Sequence, residues 1–254
     1  MLHHDLLPTG LPGAEHAVLT TALHEFAESL GNAVDAKDPH TRQHSDEVAE
    51  AARVLALHLG LPPALADVIH LAGHLHDVGK IGVPDTVLFK TGPLTPAERA
   101  LMRRHPERGA EIVRPVLALG RCGVPECILH HHERWDGRGY PHGLRGAAIP
   151  LGARVIALAD ALSAMLQDRP YRRALDFDRA RAEIVAQRGA QFDPAVVDAF
   201  RLAEDELRRM FRPAGRALPA PDHALNRSPS RTPNQPVAST MGPGPAWPEA
   251  AWKP

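Results

Sequence analysis

Apolar residues recur every three or four positions from about Leu19 to Arg212, and runs in which apolar and polar residues alternate are almost absent. That period fits one face of an α-helix and not one face of a strand, so the pattern predicts an all-α domain. A first helix is expected over about 17–36, ending where Asp38-Pro39 interrupts it, and a second over about 41–59, stopped by Gly60-Leu61-Pro62. A third starts at Pro63, sets Leu65, Val68, Ile69, Ala72 and Leu75 along one side, and is expected to end near Gly79. Further helices are expected over 95–105, 106–118, 125–132, 151–166, 175–187 and 194–211. No internal repeat is visible.

After Phe211 the pattern lapses into RPAGRALPAPDHALNRSPSRTPNQPVASTMGPGPAWPEAAWKP, dense in Pro, Ser, Ala and Gly. Such a stretch has too little apolar surface to offset the entropy of ordering it. It is therefore read as a disordered tail over 213–254, with Trp247 and Trp252 more simply solvated than part of a docking motif. Residues 1–18 read as an N-terminal extension, which leaves 19–212 as one catalytic-sized domain with a single core. No sensor domain is expected upstream, so regulatory input is expected from another chain.

Composition narrows the class. At 44% hydrophobic and 23% charged the chain fits neither a disordered nor a membrane protein. Lys+Arg is 29 and Asp+Glu 30, a formal net charge of −1, so no global field draws it to nucleic acid and any affinity for phosphate must be local. The first residues lack the basic and apolar regions of a signal peptide, and no run approaches the roughly 20 apolar residues of a membrane span. A cytoplasmic location is expected. Cys122 and Cys127 stand too far apart for a CxxC motif and too few for a disulfide framework.

The informative residues are histidines and aspartates placed at turns and helix ends, where side chains can converge. They are His44 in HTRQHS, His76-Asp77 in HLHDVGKIGVPD, His105 in RRHPERG, His131-His132 in HHHERWDGRGYP and Asp160 in IALADAL. Imidazole is the commonest metal ligand, and a mixed imidazole and carboxylate set suits iron, manganese or zinc better than magnesium alone. Any one of these histidines, taken singly, would more simply be a surface or core residue. Together they are specific, because His76-Asp77 runs into Gly79-Lys80 and the triple histidine runs into Glu133 and a glycine-rich loop.

With these strings, over about 30–200, the sequence resembles the HD superfamily of phosphohydrolases and its HD-GYP branch. HDVGKIGVPD, LFKTGPLTPAER, HHERWDGRGYPHGL, DRPYR and QFDP stand in the family's order. The resemblance implies an HD-domain helical bundle whose metal ligands are His44, His76, Asp77, His105, His131, His132 and Asp160, with Asp77 bridging two divalent ions, Fe or Mn. It implies hydrolysis of cyclic di-GMP to linear pGpG, with onward cleavage to GMP left open, by a hydroxide activated between the metals. Lys80 would neutralise charge on the phosphoryl group beside catalytic Asp77, and Arg169 and Arg172 would meet the second phosphate. Gly137, Gly139, Tyr140 and Pro141 form the GYP loop, where Tyr140 or Trp135 either stacks on guanine or pins the loop. Glu133, with Arg134, would orient an imidazole or form a structural ion pair. His58, His70, His74 and His142 match no ligand position and read as ordinary.

Two departures qualify this. His40 stands where one branch of the family has a glutamate that helps hold a third metal, so two metals are expected, with His40 an additional candidate ligand. Ser163 stands three residues after Asp160, where a second aspartate is usual, and is expected to loosen a hydrogen bond near the site or to alter turnover. Two other readings stay open: a hydrolase of another cyclic dinucleotide or nucleotide, and a receptor or adaptor that binds the messenger without useful turnover. Signalling proteins met through the GYP loop or tail, and a second copy in a homodimer, complete the expected partners. Since imidazoles must be neutral to bind metal, occupancy is expected to fall below roughly pH 6.

Overall fold

The computed structural model describes residues 13–37, 44–168 and 173–211, with side chains described from Thr21 onward, all within the unit Met1–Phe211. Its helices are α1 (Gly13–Lys37), α2 (His44–His58), α3 (Pro63–Leu75), α4 (Asp85–Leu88), α5 (Pro96–Met102), α6 (His105–Val113) and α7 (Leu117–Arg121). They continue with α8 (Val124–His130), α9 (Leu151–Leu166), α10 (Phe177–Ala186), α11 (Pro194–Leu202) and α12 (Glu204–Met210). Among the described residues there is no strand, only one isolated bridge between Arg188 and Phe192, so the all-α expectation holds. Nor is any described helix long and apolar enough to cross a membrane.

The core is built around α2, which packs most extensively on α3 and α9 and also against α1 and α11, while α8 packs on α3 and α9. Val48, Leu55, Ile69, Ile128, Ile156, Leu158, Leu162 and Phe200 are fully or almost fully buried there. Because α2, α3 and α9 bury most of their surface, the polar residues they carry inward stand out: His44, His76 and Asp160 sit among these apolar side chains. Buried polar groups are costly without partners, so this is where chemistry should be sought.

Several element ends differ from the expected ones. α3 stops at Leu75 and the chain tightens into a 3-10 turn over Val78–Gly82 instead of continuing to Gly79. Gly79 explains this: a Cβ there would collide with the His105 carbonyl and the Gly109 N–H, so the turn lies directly against α6. The helix expected over 106–118 ends at Val113, because Pro115 has no N–H with which to continue it. The helix expected over 194–211 breaks at Ala203, and Glu204, Asp205 and Glu206 occupy the first turn of α12, where the helix dipole favours anions. α1 begins at Gly13, inside the expected N-terminal extension. α5 has a capping box, Thr95 with Glu98, that TPAE in the sequence already signals.

Candidate metal centre

His76 follows α3, Asp77 starts the 3-10 turn, His44 opens α2, His105 opens α6, His131 and His132 follow α8, and Asp160 lies inside α9. These seven side chains, drawn from five parts of the chain, converge. Asp77, His105, His131 and His132 bring one ligand atom each within 4.8 Å of one another, and His44, His76 and Asp77 form a second such group that shares Asp77. Asp160 joins the second group through Oδ1, 3.2 Å from His44 Nε2. The two oxygens of Asp77 divide between the groups, with Oδ2 3.3 Å from His76 Nε2 and Oδ1 3.2 Å from His105 Nε2.

The backbone sets which nitrogen of each ring faces inward. His76, His105 and His131 donate from Nδ1 to the carbonyls of Gly73, Met102 and Ile128, at 2.7, 2.9 and 2.7 Å. A carbonyl accepts and cannot donate, so these contacts fix the proton on Nδ1 and turn Nε2 to the cavity. There His105 Nε2 lies 3.4 Å from His131 Nε2 and 3.2 Å from His132 Nε2. With Nδ1 carrying the proton, the neutral His105 and His131 rings aim lone pairs at each other across this gap. A cation between them would convert that repulsion into coordination, which is why the residues fit a metal.

Electrostatics sharpen the picture for the metal-free state. Burial pushes His105 down to about 4 against the pull of Asp77, and pushes His131 down to about 3 with help from His76 and His105. Burial also holds His132 well below its usual value. Burial would lower His76 too, but the adjoining Asp77 carboxylate outweighs it and holds His76 up at about 9. Burial would raise the two aspartates; Lys80 and His76 instead hold Asp77 well below the carboxylate range, and His44 does the same for Asp160. Lys80 Nζ lies 2.6 Å from Asp77 Oδ2, so a buried cation is fixed at the edge of the cluster.

Ser163 does not leave the gap expected of it. His44 Nδ1 lies 2.9 Å from Ser163 Oγ, and Ser163 donates to Glu47 Oε2 at 2.7 Å. Gln167 Nε2 also reaches Glu47 Oε2, at 2.7 Å. The carboxylate that steadies His44 is thus supplied by α2 and relayed through the serine. The expected loosening is therefore not found, although Glu47 was not anticipated, because its link to Ser163 depends on how α2 packs on α9.

The glycine-rich loop folds against the same ligands. Gly139 passes so close to Glu133 and Arg134 that no side chain fits there. Tyr140 stacks on His132, with ring centroids 4.9 Å apart, and the Arg103 guanidinium lies 5.0 Å from the tyrosine ring centre. Tyr140 therefore steadies a candidate ligand. Trp135 lies against Arg154, 5.7 Å away, which favours pinning the loop over a platform for a base. Glu133 pairs with neither Arg134 nor a ligand ring: it accepts the N–H groups of His142 and Leu144 at 2.7 and 3.1 Å, while Arg134 pairs with Asp136.

Arg169, Arg172 and His40, with the tail over 213–254, lie outside the described residues. His58 pairs with Glu206 away from the site. His70 and His74, expected to be ordinary, are buried next to each other and next to His24; their spacing of four was the signal that went unused. Cys122 and Cys127 are both free thiols.

A model of the HD domain family matches residues 28–196. The chain is 40% identical over 190 residues to a cyclic di-GMP phosphodiesterase response regulator of Xanthomonas campestris, covering 73% of this chain and 49% of that protein. It is 38% identical over 174 residues to a 3'3'-cGAMP-specific phosphodiesterase of Vibrio cholerae, covering 68% of this chain and 33% of that protein. The chain thus spans half or less of the length of these relatives. A crystal structure of a cyclic GMP-AMP specific phosphodiesterase of Vibrio cholerae superimposes with a TM-score of 0.56 at 22% identity, over 74% of this chain and 53% of that one, and so shares the fold.

Proposed function

Because this chain belongs to the HD-domain family, in its HD-GYP branch, we propose that it is a metal-dependent phosphodiesterase that opens cyclic di-GMP to linear pGpG. The observation that supports this best is the convergence of imidazole nitrogens on the two sides of Asp77, with the His76, His105 and His131 rings held by backbone carbonyls, His44 by Ser163 and His132 stacked on Tyr140. On this reading His44, His76, Asp77 and Asp160 hold one divalent cation, and Asp77, His105, His131 and His132 hold another. Five imidazoles with two carboxylates suit ferrous iron or manganese. When bound, such a pair supplies Lewis acidity towards a phosphoryl oxygen and lowers the pKa of water towards neutrality.

The chain's own groups supply the rest. Lys80 presents a fixed positive charge beside Asp77, where charge on a phosphoryl oxygen would otherwise go uncompensated. The carbonyls of Gly73, Met102 and Ile128 keep Nε2 of His76, His105 and His131 turned inward, so these rings need no reorientation before a metal binds. Tyr140 and Arg103 cover His132 on the side of the GYP loop. Arg169 and Arg172 are proposed for the second phosphate of the cyclic dinucleotide. Residues 19–212 are proposed as the catalytic domain.

The test is turnover of cyclic di-GMP by the purified protein, reconstituted separately with manganese and ferrous iron, with products resolved by chromatography. Metal-dependent appearance of pGpG or GMP is expected, and tight binding without cleavage would replace the enzyme with a receptor. His76→Ala and Asp77→Ala are expected to abolish hydrolysis while the far-ultraviolet circular dichroism stays helical; undiminished turnover in both would sink the ligand assignment. The second reading, another cyclic dinucleotide, is favoured by the 3'3'-cGAMP-specific relative at an identity within two points of the first. Faster cleavage of 3'3'-cGAMP in the same assay would establish it.

A further inference from the structure

We propose that His24, His70 and His74, with Asp46 and Glu50, form a second cation site, separate from the metal centre, that takes one zinc-type divalent ion. The three histidines bring one ring nitrogen each within 4.8 Å of one another. His70 and His74 are four apart on α3 and so share a face; Asp46 and Glu50 are four apart on α2 and face them; His24 closes the group from α1. His70 Nε2 lies 3.3 Å from Glu50 Oε1, and His74 Nδ1 lies 3.3 Å from Asp46 Oδ1.

Outside the metal centre, this group gathers the most unmet hydrogen bonding among the described residues. His70 and His74 are only 7% and 4% exposed, yet His70 Nε2, His74 Nδ1 and Asp46 Oδ1 are buried without a hydrogen-bond partner. Each such atom carries the desolvation cost of an unpaired polar group, and native structures rarely keep three together. One cation placed among them would satisfy all three. By contrast, the group of His130, Glu133 and His142 leaves only His130 Nδ1 without a partner, and its carboxylate is already taken by two backbone N–H groups.

The helices are also held at fixed spacing around the cluster. Gly31 of α1 lies against the His74 carbonyl and Gly73 of α3 against Ala49 of α2, both closer than any side chain would allow. No ligand is shared with the metal centre: His74 and His76 are two residues apart, about 200° around a helix, and therefore face opposite ways. Three imidazoles with carboxylate support match zinc and its neighbours, whereas calcium and magnesium prefer all-oxygen sets. Enclosed by protein donors on three helices, the ion would tie α1 to the α2–α3 pair and play a structural part.

The experiment measures zinc retained by the full-length protein after loading and dialysis, by elemental analysis, and the zinc-induced shift in Tm. His44→Ala/Asp77→Ala/His131→Ala removes donors from both cations of the metal centre and none from the second site, and that variant is expected to keep one tightly held equivalent. Adding His24→Ala, a half-buried change outside the core, is expected to lose that equivalent together with its share of the Tm shift. His70→Gln/His74→Gln should behave in the same way. If His24→Ala and His70→Gln/His74→Gln retain as much zinc and show the same Tm shift as their parents, the inference is overturned. Since the readout needs no turnover, it stands or falls apart from the phosphodiesterase reading.

Discussion

Ser163 Oγ accepts the Nδ1 proton of His44 and passes its own to Glu47, so one hydroxyl both orients an imidazole and links it to a carboxylate on another helix. Ser163→Ala would leave the His44 N–H and the Glu47 oxygen facing each other across a gap, in a place where Ser163 itself is fully buried. Loss of such a supporting contact typically lowers metal affinity about 10–100-fold. That loss is expected in a manganese titration of Ser163→Ala, with the helical circular dichroism unchanged, and equal affinity would show that the relay does nothing. Ser163→Asp would set a second carboxylate against Glu47. It is expected to restore full affinity only when combined with Glu47→Gln, which distinguishes a relay from simple space-filling.

At the scale of elements, the 3-10 turn between α3 and α6 decides whether Asp77 can reach His105. Gly79→Ala puts a methyl group into the His105 backbone, which cannot swing away as a side chain would. Overpacking of this kind costs about 1–3 kcal/mol, and each kcal/mol lowers Tm by roughly 2–4 °C in a domain of this size. The expected result is a lower Tm in a thermal melt together with weakened metal binding, whereas a lowered Tm with full metal binding would show that the turn only supports the fold. The turn also marks what a sequence can and cannot disclose. Helix α9 has the bounds its apolar period predicts, because proline precedes it and the pattern lapses after it. The converging histidines and aspartates could be named because each stands in its own motif string. The early end of α3 and the partnership of Glu47 with Ser163 could not, since each is settled by a contact between elements far apart in the chain. His70 and His74 were visible as a pair at helical spacing, but that spacing acquires meaning only when α1 brings His24 beside them.

For the whole molecule, the same buried imidazoles tie stability and metal binding to pH. In the metal-free protein His105 and His131 have folded values of about 4 and about 3, below the 6.5 of an unfolded histidine. Between those values the unfolded chain binds more protons, so their contribution to stability is present above 6.5 and lost as the pH falls, by up to about 1.4 kcal/mol per pH unit for each group. His76, held up at about 9, acts in the opposite sense: its contribution is full below 6.5 and lost as the pH rises through 9. Thermal melts of the chelator-treated protein are therefore expected to give the highest Tm near pH 6.5, with the steeper fall on the acid side. A Tm that stays flat from pH 5 to 6.5 would contradict the burial of neutral His105 and His131. A metal taking Nε2 of His76 must displace the proton that His76 still carries at pH 7, whereas His105 and His131 have none to give. Binding should thus release about one proton, and affinity should rise roughly tenfold from pH 7 to 8, where each released proton adds one power of ten per unit. The dependence then extends well above the pH of roughly 6 at which ordinary imidazoles would have ceased to matter. Calorimetric titration with manganese in two buffers of different ionisation enthalpy counts that proton directly. A count of zero would mean that His76 is already neutral in the metal-free protein and that Asp77 spends its charge on Lys80 alone.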